Sequence, residues 1–249
     1  MKTILVTGAT SGIGEAFAKH AAQQGHKVIA CGRNQTALET LGKIDNISVL
    51  RFDVTNEAET KAALLSAGAD IYVLNAGTCE YVDVEQFEPA MFERVFAPNF
   101  FGVVNSVAGI LPGLKAGNQI VIVDSMARFL PFTRSQAYGA SKAALHYFTK
   151  SLEVDLKDKN VFVQTVSPGF VKTPLTDKND FDMPMIVTAD EAAESMLRKI
   201  LNGNASIYFP TMFGLILRFF NILPASVKRS LAYSMRSKAL AALKEKNKQ

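Results

Sequence analysis

The chain contains few cysteines and lacks a long apolar run at its N-terminus. Its 249 residues include two cysteines, Cys31 and Cys79, too few for a disulfide framework and without the spacing of a metal site. This usage fits a reducing compartment, and we expect no bound metal. The first apolar run, Ile4–Val6, is too short for the core of a signal peptide. We therefore expect a cytoplasmic protein.

Internal repeats, low-complexity linkers and a second hydrophobic core are also lacking. The length and the 48% hydrophobic content suit a single α/β domain of a globular enzyme. The net charge of +4 is unevenly distributed, because residues 205–249 contain eight basic residues and one acidic residue. They carry +7, which leaves −3 for residues 1–204. The sequence predicts a main domain over residues 1–204 with an apolar and basic extension over residues 205–249.

Short apolar, β-branched runs alternate with helical patterns. Most runs are continuous, as expected of strands covered on both faces. Strands are predicted at Thr3–Thr7, Lys27–Cys31, Ile47–Phe52, Asp70–Leu74, Gln119–Val123, Val161–Val166 and Ile207–Phe209. Helices are predicted at Gly12–Gln24, Gln35–Gly42, Asn56–Ala67, Glu88–Lys115, Ala137–Lys157 and Ala189–Asn202. This alternation predicts one Rossmann-type, doubly wound parallel sheet of about seven strands with helices on both faces. Pro98 should kink the fourth helix, and Pro112 should end it near Leu111.

A glycine-rich loop, Thr7–Gly14, follows the first strand. In a doubly wound sheet this position binds a pyrophosphate at a helix N-terminus. Gly8 would permit the sharp turn, Gly12 the close approach of the backbone, and Gly14 the packing of the helix on the sheet. Alone the loop is a weak signal, and the alternative is a plain strand-to-helix turn.

The second strand ends at Gly32 and Arg33, where a carboxylate would bind the ribose 2′-hydroxyl of NAD. The donor fork of arginine suits a 2′-phosphate instead, so Arg33 predicts NADP(H). The alternative is a solvated surface arginine.

Tyr138 and Lys142 lie four residues apart in a helical pattern, so they share one face. A phenol with a pKa near ~10 is a poor proton donor at neutral pH, and an adjacent cation favours its ionised form. The pair therefore predicts acid–base chemistry, although the spacing alone is common on helices.

Together these motifs resemble the short-chain dehydrogenase/reductase family over residues 1 to about 200. The matching pieces are the Thr7–Gly14 loop, Asp53 with Val54, Asn75–Gly77, Asn99, Ser125, Tyr138–Lys142, Pro168 with Gly169, Val171 and Thr173. The resemblance implies hydride transfer between a nicotinamide and a carbonyl carbon, with Tyr138 as the proton donor or acceptor. Lys142 would hold the nicotinamide ribose and lower the pKa of Tyr138. Ser125 would bind the substrate carbonyl, and Asn99 would order water that relays protons to Lys142.

The resemblance also implies how NADP(H) is held. The loop would bind the pyrophosphate, Arg33 the 2′-phosphate, and Asp53 with Val54 the adenine edge. The Asn75–Gly77 segment would touch the cofactor, and the segment from Pro168 to Thr173 would seat the nicotinamide amide. The implied cofactor residues are Gly8, Thr10, Ser11, Gly12, Ile13, Gly14, Arg33, Asp53, Val54, Asn75, Ala76, Gly77, Tyr138, Lys142, Pro168, Gly169, Val171 and Thr173.

The expected activity is an NADP(H)-dependent reduction of a small-molecule carbonyl compound. The same residues would also serve an NAD(P)-linked alcohol dehydrogenase. A non-catalytic protein that senses NADP(H) is a further alternative, but it predicts a damaged catalytic set. The apolar segments Phe129–Phe132, Phe170 and Phe181–Val187 indicate a lipophilic substrate, unless they only cover the core. Asp124 and Arg128 depart from the family pattern and are expected to place charge at the pocket mouth.

The extension begins with an apolar stretch, residues 207–224, which Pro210, Gly214 and Arg218 interrupt. It is too short and too charged for a transmembrane helix. The following residues predict a basic helix with an apolar stripe that lies at a membrane interface. The predicted stripe comprises Val227, Leu231, Tyr233, Met235, Ala239, Leu240 and Leu243. The alternative is a lid over the substrate pocket or a subunit interface, followed by a solvated tail.

Further partners follow from the same segments. We expect a homo-oligomer, either a dimer or a tetramer, and peripheral contact with the inner membrane surface. Nucleic-acid binding is not expected, because the aromatic residues of Tyr208–Phe220 precede most of the basic residues instead of interleaving with them.

Overall fold

The structure is a computed structural model that describes residues 1–179 and 181–246, with the backbone alone for residues 238–246. The strands are β1 (Thr3–Thr7), β2 (Lys27–Gly32), β3 (Ile47–Arg51), β4 (Ile71–Leu74), β5 (Gln119–Val123), β6 (Phe162–Pro168), β7 (Val171–Lys172), β8 (Val187–Thr188) and β9 (Ser206–Phe209). The helices are α1 (Gly12–Gln23), α2 (Gln35–Leu41), α3 (Glu57–Leu65), α4 (Pro89–Phe96), α5 (Gly102–Ile110), α6 (Gln136–Asp155), α7 (Ala189–Leu201), α8 (Thr211–Ile222) and α9 (Ala225–Lys246).

Seven strands form one parallel sheet in the order β3-β2-β1-β4-β5-β6-β9. The predicted doubly wound sheet is confirmed. The strand order reverses between β1 and β4, where Thr7 pairs in register with both Cys31 and Leu74. This switch point is where such sheets bind ligands. The short pair β7-β8, which the sequence did not predict, lies outside the main sheet.

Helices cover both faces of the sheet. On one face, buried side chains of α1 and α7 join the core, among them Phe17 and Met196. On the other face, Leu64 of α3, Val107 of α5 and Leu145 of α6 do the same. The continuous apolar strands are therefore explained by burial on both sides.

The predicted helix Glu88–Lys115 is divided into four pieces. A π-helical turn, Ala97–Phe101, separates α4 from α5, and a 3₁₀ turn, Leu111–Gly113, ends the run. Pro98, which lacks a backbone donor and was expected to kink this helix, lies in the π turn. Among the described residues, the run Pro89–Gly113 is long and apolar enough to span a membrane by length and composition. Since Val107 in it is buried in the core, we interpret it as a core helix.

The C-terminal extension contributes to the fold. Strand β9 pairs with β6 from Ser206 to Phe209 and lies at an end of the sheet. Phe213 and Leu217 on the inner face of α8 are buried with Met126, Phe129 and Leu130.

Over residues 225–237, the part of α9 whose side chains the structure describes, the predicted apolar stripe is interrupted by a basic residue. Lys228 and Met235 are seven residues apart and therefore lie on the same face of the helix. The predicted stripe residues from Ala239 onward lie among residues whose side chains are not described.

Candidate active site

The glycine loop lies against the end of β4. Gly8 has a φ of +67°, and a Cβ atom there would lie 2.7 Å from the Cα atom of Ala76. A Cβ atom at Gly14 would lie 2.3 Å from the Gly8 oxygen and 2.5 Å from Nδ2 of Asn75. Glycine is therefore required at both positions, for the backbone conformation at the first and for space at the second.

Polar contacts lock this loop across the switch point. The Thr7 hydroxyl accepts hydrogen bonds from the backbone nitrogens of Asn75 and Ala76 at 3.0 and 3.2 Å. Nδ2 of Asn75 donates to the main-chain oxygens of Thr7 and Gly8. These contacts tie the end of β4 to the end of β1 at the centre of the sheet.

A cavity of about 950 Å³ runs along the carboxyl ends of the strands. Its volume is within the range of cofactor sites. Gly14 and Asn99 do not line it. The other predicted site residues do: Gly8, Thr10, Ser11, Gly12, Ile13, Arg33, Asp53, Val54, Asn75, Ala76, Gly77, Ser125, Tyr138, Lys142, Pro168, Gly169, Val171 and Thr173. The bare backbone of the loop leaves this volume open, so the cavity fits a dinucleotide whose pyrophosphate lies at the start of α1.

Arg33 borders this cavity and pairs with Asp53. Its Nη1 lies 3.1 Å from Oδ2 of Asp53, and its side chain is 72% exposed. Burial tends to raise the pKa of Asp53, but hydrogen bonds from Thr55 and the Arg33 pair outweigh it and lower the pKa. The carboxylate is thus charged at neutral pH, and it holds the guanidinium at the cavity wall.

Tyr138 and Lys142 lie on α6 and face the end of β5. Nζ of Lys142 donates to the main-chain oxygen of Val123 at 2.9 Å and lies 5.8 Å from the centre of the Tyr138 ring. Ser125 follows β5, and its hydroxyl accepts a hydrogen bond from the backbone nitrogen of Ala127 at 3.1 Å. Three of the four predicted catalytic residues, Ser125, Tyr138 and Lys142, therefore lie around one cavity.

Burial controls the ionisation of this pair. It raises the pKa of Tyr138 above its usual value, against the effect of hydrogen bonding to Ser125, and the charges of Cys79 and Asp124 raise it further. Burial also lowers the pKa of Lys142 to about 8, although Asp124 and Cys79 favour its charged form. The expectation of a lowered pKa for Tyr138 is wrong for this structure, because desolvation outweighs the groups that favour the phenolate.

Asn99 connects the π turn to α6. Its Nδ2 donates to the main-chain oxygen of Thr78 at 3.0 Å and to the Ser141 hydroxyl at 2.9 Å. Its Oδ1 accepts from the main-chain nitrogen of Thr78 at 2.7 Å. The Ser141 hydroxyl in turn donates to the main-chain oxygen of Tyr138 at 2.7 Å. Sequence reasoning did not identify Thr78 or Ser141, although Ser141 lies inside the Tyr138–Lys142 motif. The water-relay role of Asn99 stays a prediction.

Asp124 does not lie at the pocket mouth, and this expectation is corrected. Its side chain is fully buried, and Oδ2 lies 2.8 Å from both Nε of Arg128 and Nδ1 of His146. Arg128 is nearly buried and stacks on the Phe129 ring at 4.0 Å. The charges neutralise each other beneath the site, because a buried charge without a partner is costly. His146 lies on α6, 22 residues after Asp124, so this contact depends on the packing of α6 and cannot be read from the local sequence.

A second, mainly apolar cavity of about 430 Å³ adjoins the first. Its apolar lining includes Phe132, Phe170, Phe181, Phe213, Leu217 and Met235. All three predicted pocket segments thus contribute to it, but Phe129 and Leu130 of the first segment are buried in a neighbouring apolar cluster. Ser125 and Tyr138 line both cavities.

This arrangement defines a class of protein. A Rossmann-type sheet with a dinucleotide-sized cavity, and a phenol and a hydroxyl where that cavity meets an apolar one, is the arrangement of a nicotinamide-dependent oxidoreductase.

Comparisons with known proteins identify the family. A family model described as short chain dehydrogenase matches residues 2–183. An uncharacterized oxidoreductase of Myxococcus xanthus is 32% identical over 235 residues, which cover 90% of this chain and 93% of that protein. The NADP-dependent 3-hydroxy acid dehydrogenase YdfG of Escherichia coli is 36% identical over 180 residues, covering 68% and 72%. The chain belongs to the short-chain dehydrogenase family and is an oxidoreductase, as its motifs predicted.

A solved structure supports the same assignment. A serine dehydrogenase in its closed form, complexed with NADP⁺, superimposes with a TM-score of 0.75 at 28% identity. The match covers 83% of this chain and 94% of that one.

Proposed function

We propose that this protein is an NADP(H)-dependent reductase of lipophilic ketones or aldehydes. The observation that carries the proposal is the position of Ser125 and Tyr138, which line both the dinucleotide-sized cavity and the apolar cavity. A carbonyl group held between their hydroxyls would face the first cavity while its hydrocarbon part occupies the second. NADP(H), when bound, supplies the hydride.

The chain supplies orientation and the proton. The Ser125 hydroxyl donates a hydrogen bond to the carbonyl oxygen and polarises it. The phenol of Tyr138 transfers its proton to that oxygen as negative charge develops there, and an alcohol forms. The charged Lys142, held by the Val123 oxygen, stabilises the resulting phenolate. Asn99 and Ser141 hold the start of α6 in place through the Tyr138 carbonyl.

The raised pKa of Tyr138 keeps the phenol protonated at neutral pH, which is the form that a reduction starts from. An alcohol oxidation instead needs the phenolate as a base. The oxidative alternative is therefore the second candidate, with the same residues.

The cofactor is NADP(H), and Arg33 is the residue that selects it. Its exposed guanidinium borders the cavity at the end of β2, where a 2′-phosphate would lie. Of the two named relatives described above, YdfG is NADP-dependent by its name, and the serine dehydrogenase structure is a complex with NADP⁺.

The substrate is expected to differ from those of the two named relatives. A 3-hydroxy acid or serine is small and polar, whereas the cavity here is walled by the rings of Phe132, Phe170, Phe181 and Phe213. When the apolar surface of a substrate is buried against these rings, binding is stabilised by roughly 25 cal/mol per Å² of surface removed from water.

A steady-state screen tests the proposal. Ketones and aldehydes of increasing chain length are assayed with NADPH and with NADH, while alcohols, serine and other 3-hydroxy acids are assayed with NADP⁺. We expect kcat/KM to rise with chain length and to favour NADPH. A preference for 3-hydroxy acids would overturn the substrate class. Tight NADPH binding without turnover across the panel would favour the sensing alternative.

A further inference from the structure

Helix α8 is apolar on two opposite faces. The inner face carries Phe213 and Leu217, which are buried and line the apolar cavity. The outer face carries Met212, Leu215, Phe219 and Ile222, which are 60%, 54%, 59% and 78% exposed. Packing in the core accounts for the apolar side chains of the inner face, but it does not account for those of the outer face.

The four exposed side chains form one stripe. Their spacing of three, four and three residues places them along a single face of the helix. Single exposed apolar residues are normal, but a continuous patch of large ones indicates a surface that binds something. We call these four side chains, Met212, Leu215, Phe219 and Ile222, the α8 outer face.

Basic residues border the α8 outer face. The Arg218 guanidinium, next in the chain to Phe219, stacks on the Tyr208 ring at 5.2 Å. Nζ of Lys228 donates to the Asn221 oxygen at the end of α8, at 3.2 Å, and Arg229 beside it is exposed. Within residues 205–249 the sequence has eight basic residues against one acidic residue. The matching partner is therefore apolar inside and negatively charged at its surface.

We propose that the α8 outer face docks on an anionic lipid bilayer. Its apolar side chains would enter the boundary between headgroups and acyl chains, and the flanking arginines and lysines would contact the acidic headgroups. A second copy of this chain is a poorer occupant, because a two-fold interface there would bring two strongly basic segments together.

Docking would bring the apolar cavity to the lipid surface. Phe213 and Leu217, on the inner face of the same helix, and Met235 of α9 form part of its wall. A lipophilic compound dissolved in the membrane would then lie one helix away from Tyr138. Vesicle binding does not require turnover, so the docking proposal stands or fails independently of the proposed reaction.

Sedimentation with vesicles tests the docking. The full-length protein is mixed with vesicles of equal parts phosphatidylglycerol and phosphatidylcholine, and with vesicles of phosphatidylcholine alone. We expect binding to the anionic vesicles at low salt, and weaker binding at ~1 M salt, where the screening length falls to about 3 Å. Absence of binding to anionic vesicles at low salt would overturn the proposal.

Matched variants separate the face from general stickiness. Phe219→Ser with Ile222→Ser should lower the partition coefficient at least about tenfold, because two large apolar side chains no longer enter the lipid. Leu65→Ser with Val84→Ser, at exposed positions outside α8 and α9, should leave it unchanged. Lys228→Gln with Arg229→Gln should lower it about fivefold for each charge removed.

Two outcomes would contradict the docking. Equal loss in the Leu65/Val84 variant would mean that binding does not involve the α8 outer face. If sedimentation velocity shows that the Phe219/Ile222 variant dissociates an oligomer, and the parent protein does not bind vesicles, a second copy covers this face instead. Circular dichroism of each variant checks that the fold is retained.

Discussion

Nζ of Lys142 donates a hydrogen bond to the main-chain oxygen of Val123 at a distance of 2.9 Å. The ammonium group is thereby anchored to the end of β5, where Asp124 and Ser125 follow. Lys142 is only 4% exposed, and the buried Asp124 carboxylate favours its charged form. The protein itself therefore holds a cation beneath the reacting phenol, at the cost of desolvating it.

Replacing Tyr138 by phenylalanine should remove turnover and keep cofactor affinity. The ring still packs, but the proton donor is lost, and general acids typically contribute ~10²–10⁴-fold. Steady-state kcat and fluorescence titration with NADPH measure the two effects. Tyr147→Phe, on the exposed side of the same helix, is the control and should behave like the parent protein. A residual kcat above about a tenth would contradict the role of Tyr138.

The rate of carbonyl reduction should fall as the pH rises above about 8. Burial lowers the pKa of Lys142 to about 8, so the side chain is charged below that pH and neutral above it. A neutral amine does not stabilise the developing phenolate. A kcat/KM profile from pH 6 to 10 measures the fall. In Lys142→Arg, whose side chain stays charged over this range, any residual rate should not show it. A flat profile for the parent protein would contradict this assignment.

The sequence predicted the positions of the catalytic side chains better than their ionisation. The four-residue spacing of Tyr138 and Lys142 was sufficient to place both on one helical face. The pKa of Tyr138 depends first on burial and then on the charges of Cys79 and Asp124, which are distant in sequence and are brought near it by β4 and β5. Desolvation of this kind is a property of the assembled core and has no local sequence signal.

Charged residues show the same limit. Asp124 was expected at the pocket mouth because it departs from the family pattern, but its side chain is buried, and Nδ1 of His146, 22 positions later, lies 2.8 Å from its carboxylate. The apolar character of the extension was visible in the sequence. Which apolar residues of α8 are buried and which are exposed depends on the side of the helix that packs against Phe129. Pattern alone assigned the exposed stripe to α9.

Replacing Arg33 by glutamine should weaken NADPH binding and leave NADH binding nearly unchanged. A charge-assisted hydrogen bond to the 2′-phosphate is lost, which corresponds to about tenfold to a hundredfold in affinity. Titration with both cofactors gives the ratio. Lys43→Gln, an exposed position that does not line the cofactor cavity, serves as the control. An unaltered ratio would mean that Arg33 is only a partner of Asp53.

Replacing Asp124 by asparagine should destabilise the fold strongly. The change leaves Arg128 buried without its carboxylate, and breaking a buried pair typically costs about 3–5 kcal/mol. Urea unfolding at neutral pH measures the free energy of unfolding. Lys61→Gln, which breaks the exposed ion pair with Glu57, should have little effect. Equal stability of the two variants would show that the buried cluster is not a determinant of stability.

Replacing Lys142 by methionine should abolish activity and stabilise the protein. Because the folded-state pKa is about 8 and the usual value is 10.5, the unfolded chain binds more protons than the folded chain between these values. The free energy of unfolding of the parent therefore rises with pH through that window, and below pH 8 the full penalty of burying the charge applies. Methionine removes the penalty, which we put at about 1–3 kcal/mol at pH 7, while Asp124 keeps Arg128 and His146 as partners. Urea unfolding at pH 7 and at pH 10 measures both effects, with the exposed Lys43→Met as the control. A Lys142→Met protein less stable than the parent at pH 7 would mean that the contact with Val123 outweighs the desolvation of the ammonium group.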